Sequence, residues 1–382
     1  MTKVCFFTSL DDVSCLTAVE RGQLSQVTAQ YPFRSNEYFL SLINWEDPAD
    51  PIRRIVIPAP SELDDDGALD PSCEQFYTRV SGLEHKYEHV ALLLVSDSCG
   101  GYCRFCFRKR IFMGSDEVER DVSAGIDYIR RHPKINNVLL TGGDPLLLAT
   151  DQLAAIIEQL REIDHVRIIR IGSKMPLYNP FRVLDDNALI EMFARHSRPD
   201  RRIFLIIHTN HPRELTPEAT AAIDRIQRSG VTVMNQTPLL RGINDDPAVL
   251  ADLFDKLSFR GVLPYYVFQC RPTRGNRCFS VPVERAFEIH EQARMRVSGL
   301  GRNARFVMSH TIGKIQVLCL KKDTIILKIH RAADSSQQAH IYVFRRNPDA
   351  LWFDDYTRKV TEFQLDNPFL LETKDEYMVP VL

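Results

Sequence analysis

Three cysteines, Cys99, Cys103 and Cys106, stand in a C-x3-C-x2-C spacing just after the apolar run Ala91-Leu92-Leu93-Leu94-Val95. Three thiolates on one short loop can hold three corners of an iron–sulfur cube and leave the fourth iron open to an exogenous chelator. A structural zinc knuckle needs a fourth closing ligand, and no second C-x2-C or H-x3-H pair lies nearby. A disulfide staple would leave one of three crowded thiols over. Two further stretches have types suited to chemistry. Gly142-Gly143-Asp144 combines a glycine pair that lets backbone approach a ligand with a carboxylate able to accept from an ammonium. Lys314 follows Gly313, and a lysine in a dry site loses its proton readily and can attack an aldehyde.

These residues need a scaffold, and the chain supplies a rhythm. From Ala91 onward short apolar runs at 91–96, 137–141, 166–171, 203–208, 231–236 and 262–268 alternate with helical windows. The first window carries Val118, Val122, Ile126 and Ile129 on one face; the second carries Leu153, Ile156, Leu160 and Ile163. Thr216-Pro217 and Asp246-Pro247 are N-cap and first-turn pairs, and Gly230 and Gly261 stand where helices must stop. The pattern predicts an α/β chain: an open, partial (β/α)6 TIM-like barrel over 89–300, an N-terminal helical arm over 1–88 without a core of its own, and a β-rich C-terminal extension over 301–382 whose first strand opens at Lys314. In such barrels the working residues sit at the carboxyl ends of strands. The cysteine loop, Gly142-Gly143-Asp144, Ser173 with Lys174, His208, Gln236 and Gln269 then share one rim.

The loop resembles that of radical S-adenosylmethionine (SAM) enzymes, and Tyr102-Cys103-Arg104-Phe105-Cys106-Phe107-Arg108-Lys109-Arg110 is similar to the lysine 2,3-aminomutase family, with the likeness running from about Trp45 to Lys314. The resemblance implies a [4Fe-4S] cluster on Cys99, Cys103 and Cys106, SAM held by Gly142, Gly143, Asp144 and Ser173, and pyridoxal phosphate attached to Lys314. It also implies that Arg108 takes the carboxylate of a free amino acid, that Asp245 contacts the substrate's distal group, and that a low-potential donor such as flavodoxin or ferredoxin supplies electrons. The sequence departs from the family at five places, the first being the glycine-rich stretch before the pyridoxal-phosphate lysine, of which only Gly313 remains in a run about two residues shorter. Lys174 replaces an arginine, Val90 replaces one of two phosphate-binding arginines and leaves Lys86, Val307 or Ser309 replaces a second aspartate, and Arg271 replaces an acid. One carboxylate fewer and one cation more argue against plain lysine as substrate. The implied activity is a 2,3-aminomutase on a free α-amino acid. Rival readings are a protein-lysine modifier like the relative acting on elongation factor P, and a cluster-binding relative that has lost pyridoxal phosphate.

Bulk properties fit a small-molecule enzyme. The 382 residues are 44% hydrophobic, enough for a large core, and the formal net charge of −2 offers no field for nucleic acid or an anionic membrane. No apolar run approaches the roughly 18 residues of a membrane span, and the start Met1-Thr2-Lys3-Val4-Cys5 does not read as a signal peptide. Cys5, Cys15, Cys73, Cys270, Cys278 and Cys319 are scattered, which suits a reducing, cytoplasmic setting. Homo-oligomerisation is left open.

Overall fold

The computed structural model of the chain describes residues 4–64 and 66–365. Residues 1–3, Asp65 of the acidic loop and the end of the expected extension, 366–382, lie outside the described residues. The arm carries α1 (Ala18–Gln30), started by a capping box between Thr17 and Glu20. Thirteen strands then form one sheet whose neighbour order is the chain order. They are β1 (Thr78–Val80), β2 (Leu83–Tyr87), β3 (Val90–Ser96), β4 (Asn137–Gly142), β5 (Ile168–Ser173), β6 (Ile203–Ile207), β7 (Thr232–Leu239), β8 (Leu263–Gln269), β9 (Arg305–His310), β10 (Gly313–Leu320), β11 (Thr324–Ala332), β12 (His340–Arg345) and β13 (Lys359–Gln364). Helices α2 (Ser123–Arg131), α3 (Thr150–Arg161), α4 (Asn187–His196), α5 (Pro217–Arg228), α6 (Pro247–Ser258) and α7 (Val283–Arg296) follow the strands from β3 to β8.

Local chemistry accounts for these bounds. Thr216 Oγ1 accepts from the Ala219 N–H and Asp246 Oδ1 from the Ala248 N–H, so both threonine/aspartate–proline pairs open helices as expected. Apolar residues on alternate strand positions, such as Ile169 and Ile171 of β5 and Ile203, Leu205 and Ile207 of β6, are fully buried against the helices. The opposite strand faces look into the sheet's curve, which is where Arg170 of β5 and Gln236 of β7 fall.

Two expectations change. The parallel run is seven strands, β3 to β9, because Arg305–His310 pairs with β8 in parallel. Its burial on both faces hides the period-two signal, and the polar ends made it read as a connection. Val118 precedes α2, which starts at Ser123. The apolar residues of the arm, Leu10, Phe33, Phe39, Ile52 and Ile55, share one cluster with Tyr178, Leu240, Ile243 and Phe279 over the carboxyl ends of the strands.

The sheet is mixed and its backbone pairing does not close, with β1 and β13 as its edges. Its flanks nevertheless meet through side chains. Lys86 Nζ of β2 donates to the His310 carbonyl at 2.6 Å, Tyr77 Oη to that of Thr311 at 2.8 Å, and Ser72 Oγ to that of Ser309 at 2.8 Å. Among the described residues no helix is long and apolar enough to cross a membrane.

Candidate functional site

The cysteine loop leaves β3 and is held by main chain on both sides. The Gly143 N–H donates to the Ser96 carbonyl at 2.6 Å and the Asp144 N–H to that of Ser98 at 2.8 Å. A Cβ on Gly143 would lie 2.2 Å from the Ser98 oxygen, so the glycine pair is required by approach to the loop itself. From the arm, the Arg34 carbonyl accepts from Tyr102 N–H and that of Ile55 from Arg104 N–H, at 2.9 and 2.8 Å. Arg104, between two of the cysteines, forms a buried ion pair with Glu62 at 2.8 Å.

The three thiols are half-buried and unpaired. Burial pushes each upward from the ordinary cysteine range, and Cys99 also feels Cys103 and Cys106. Tyr178 Oη stands 3.3 Å from Cys103 Sγ. Among the described residues no three His, Cys, Asp or Glu side chains converge on a single-ion centre. Three spread thiols on one enclosed loop match the corners of a cube better than a zinc tetrahedron.

The remaining expected residues fall into two groups. Asp144 is at the rim, but its carboxylate is engaged: Oδ1 accepts from Leu146 N–H at 3.0 Å, and Oδ2 from Lys174 and Met175 N–H at 2.7 and 3.1 Å. It ties the second strand's loop to the third's, where a free acceptor for an ammonium was expected. Ser173 Oγ, buried, accepts from the Met175 N–H at 3.0 Å. Lys174 Nζ donates to the His208 carbonyl, Asn210 Oδ1 and Glu214 Oε2, so its charge is matched inside the protein. His208, 2.6 Å from Gln236 Nε2, is pushed down to about 3 by burial and by Lys174, which keeps it neutral. Asp245 does not join them. Its Oδ1 accepts from Gly242 N–H at 2.8 Å in a turn after β7 that packs on Arg54.

Arg108 is buried, and its planar fork closes on Glu74: Nε donates to Oε2 at 3.0 Å and Nη2 to Oε1 at 3.1 Å. Nη2 also reaches Glu84 at 3.3 Å and Nη1 reaches Thr141 Oγ1 at 3.1 Å. A carboxylate does bind this fork, but it is the protein's own. Glu74 further accepts from Arg110 at 2.9 Å and from Arg271 at 3.4 Å, and the Arg271 guanidinium lies 3.6 Å over the Phe107 ring. Against desolvation, these three guanidiniums hold Glu74 far below the carboxylate range, while burial and the nearby Glu74 push Glu84 up to about 8. Glu74 and Glu84 were missed in the sequence; Glu84, a charge within the strand Leu83-Glu84-His85-Lys86-Tyr87, was the available signal.

Lys314 lies on β10 inside the sheet's curve, half-buried, with Nζ 4.6 Å from the Phe268 ring centre and 5.1 Å from that of Tyr266. Burial first, then the cations Arg271, Arg331, Arg170 and Lys86, hold its amine well below the usual lysine range. Gly313 before it has φ +145°, and a Cβ there would sit 2.1 Å from the Arg331 carbonyl oxygen. The one glycine kept from the family's run is thus needed for β10 to reach β11.

A cysteine loop of this spacing on the first of a run of parallel strands defines a class, and residues 93–254 match the model of the Radical SAM superfamily. The chain is 54% identical over 364 residues to a putative L-lysine 2,3-aminomutase of Aquifex aeolicus, covering 95% of this chain and 97% of that one. It is 40% identical over 289 residues to the L-lysine 2,3-aminomutase of Clostridium subterminale (74% and 68% covered) and 34% identical over 295 residues to the glutamate 2,3-aminomutase of Clostridioides difficile (76% and 68%). The chain therefore belongs to the lysine 2,3-aminomutase family of radical SAM enzymes, which are isomerases. The family implies a [4Fe-4S] cluster and SAM.

Proposed function

We propose that this enzyme is a pyridoxal-phosphate-dependent 2,3-aminomutase that acts on a free α-amino acid with an acidic or neutral polar side chain, in preference to lysine. The observation that carries the reading is Lys314, a desolvated amine on aromatic rings at the inner wall of the sheet. When bound, cluster and SAM supply a carbon radical, and pyridoxal phosphate supplies a carrier for the migrating amino group.

The chain's own residues do the rest. Lys314 stays neutral because burial and four nearby cations disfavour its charged form, leaving a lone pair for covalent attachment. Cys99, Cys103 and Cys106 are the cluster ligands, and Gly142, Gly143, Asp144 and Ser173 shape the SAM side of the rim, Asp144 by fixing the Lys174-Met175 backbone. Arg108 and Arg271 receive substrate carboxylates in exchange for Glu74, which holds both before binding. A substrate with two carboxylates satisfies both guanidiniums; a lysine side chain would bring its ammonium against Arg271, where the nearby carboxylate, Glu74, is shared among three guanidiniums. The arm over the rim excludes water.

The test is borohydride reduction of protein incubated with pyridoxal phosphate, followed by peptide mapping. A reduced pyridoxyl group on Lys314 is expected; one on Lys86 or Lys174 instead would refute the assignment.

A further inference from the structure

Most buried cations of this protein have a carboxylate of their own. Arg104 has Glu62, Lys174 has Glu214, and Arg108, Arg110 and Arg271 share Glu74. Four cations around the inner wall do not. Among the described residues Lys314, Arg331, Arg170 and Lys86 make no ion pair with any Asp or Glu. Lys314 and Arg331 are direct cross-strand partners in the β10–β11 ladder, an arrangement that disfavours like charges. The Arg331 guanidinium lies 4.2 Å over the Tyr87 ring, and Tyr87 pairs with Val90 at the β2–β3 turn. Arg170 has its Nε on Asn137 Oδ1 at 2.8 Å, and Lys86 Nζ has only the His310 carbonyl and the faces of Tyr77 and Tyr87. The four come from β10, β11, β5 and β2, so no local sequence feature gathers them; the curvature of the sheet does.

We infer that Arg331, with Arg170 and Lys86, forms the cradle for a phosphate monoester dianion beside Lys314, so that Arg331 on β11 supplies from the facing strand a cation absent at Val90. This rests on the reading of Lys314 above and adds to it the residues that grip the cofactor's phosphate. A phosphate group carries close to two negative charges and accepts from planar guanidinium forks, which is the charge and the donor type that this wall leaves unmatched. Gly313 belongs to the same device, because the close approach of β10 to β11 sets Lys314 opposite Arg331.

The experiment compares pyridoxal phosphate with pyridoxal, which has the same aldehyde and no phosphate, by absorbance titration and borohydride trapping on the reconstituted full-length protein. Wild type should bind pyridoxal phosphate far more tightly, and inorganic phosphate should compete with pyridoxal phosphate for the site. Arg331→Leu should weaken pyridoxal phosphate by roughly 10- to 100-fold, the size of a lost charged hydrogen bond, with pyridoxal unchanged. Arg331→Lys should recover part of that loss. If Arg331→Leu fails to fold, Arg170→Met and the wild-type phosphate competition carry the test. Equal wild-type affinity for the two aldehydes, or an Arg331→Leu affinity within twofold of wild type, overturns the cradle while the Lys314 adduct keeps the parent reading intact. Absence of any adduct on Lys314 overturns both.

Discussion

The cysteine rim and the inner wall at Lys314 are built on opposite principles. At the rim most groups are matched from within: Asp144 is taken up by three backbone amides, Lys174 by Glu214, Arg104 by Glu62, and the glycine pair by the loop it packs against, while Lys109 Nζ lies 4.4 Å over the Tyr31 ring without an ion pair among the described residues. At the inner wall four cations stand without a carboxylate among the described residues, and the Lys314 amine among them is disfavoured as a cation. The rim is a rigid holder for a ligand attached through sulfur, whereas the wall is a charge imbalance that an anionic ligand completes. Loss of the matched Arg104–Glu62 pair is then a matter of stability, whereas loss of an unmatched wall cation should appear in binding.

The largest test separates the two regions outright. Cys103→Ala should reduce iron from about four per chain to near background and abolish reductive cleavage of SAM, while pyridoxal phosphate still traps on Lys314. Iron analysis and deoxyadenosine assay read the first, peptide mapping the second; full SAM cleavage in the variant would sink the radical reading.

Next comes substrate charge. In competition at equal concentration, lysine should be turned over about 30-fold to several thousand-fold less efficiently than glutamate or a neutral polar amino acid, the cost of about 2–5 kcal/mol for an unmatched ammonium. Arg271→Asp should narrow that gap. A wild-type preference for lysine defeats the charge argument, and an unchanged ratio in the variant means that Arg271 does not face the substrate.

Breaking an internal pair at the rim should act on stability. Glu62→Gln leaves the Arg104 guanidinium buried beside the cluster loop without its carboxylate, and a loss of about 3–5 kcal/mol in denaturant unfolding is expected. A change below about 1 kcal/mol would show that the arm does not clamp the loop.

The smallest effect is a slope with pH. Glu84, pushed up to about 8, binds a proton in the folded protein between about pH 4.5 and 8 where the unfolded chain has released it. Its contribution to stability is complete below that window and declines as pH rises through it. Glu84→Gln should flatten this part of the stability curve, and an unchanged slope would assign the titration to another group.

Much of the molecule was legible in one dimension. The six strand windows are within a few residues of β3 to β8, both threonine/aspartate–proline caps open their helices, and the cysteine spacing alone indicated cluster chemistry at the end of the first parallel strand. These features are set by neighbours a few residues apart: side-chain period, cap hydrogen bonds, ligand spacing on one loop. Charge partners are set otherwise. Arg108 looked like an open fork because Glu74, 34 residues earlier, is brought to it only by the packing of the arm. Asp144 and Asp245 read as acceptors for a ligand, and the fold also brings backbone N–H groups to them, Lys174 and Met175 to Asp144 and Gly242 to Asp245. Val90 reads as a lost charge, and only the fold sets Arg331 over the ring of Tyr87, the cross-strand partner of Val90. Residue types and spacing determined which reactions this chain can host; the curvature of the sheet decided which charges are already matched and which still need a ligand.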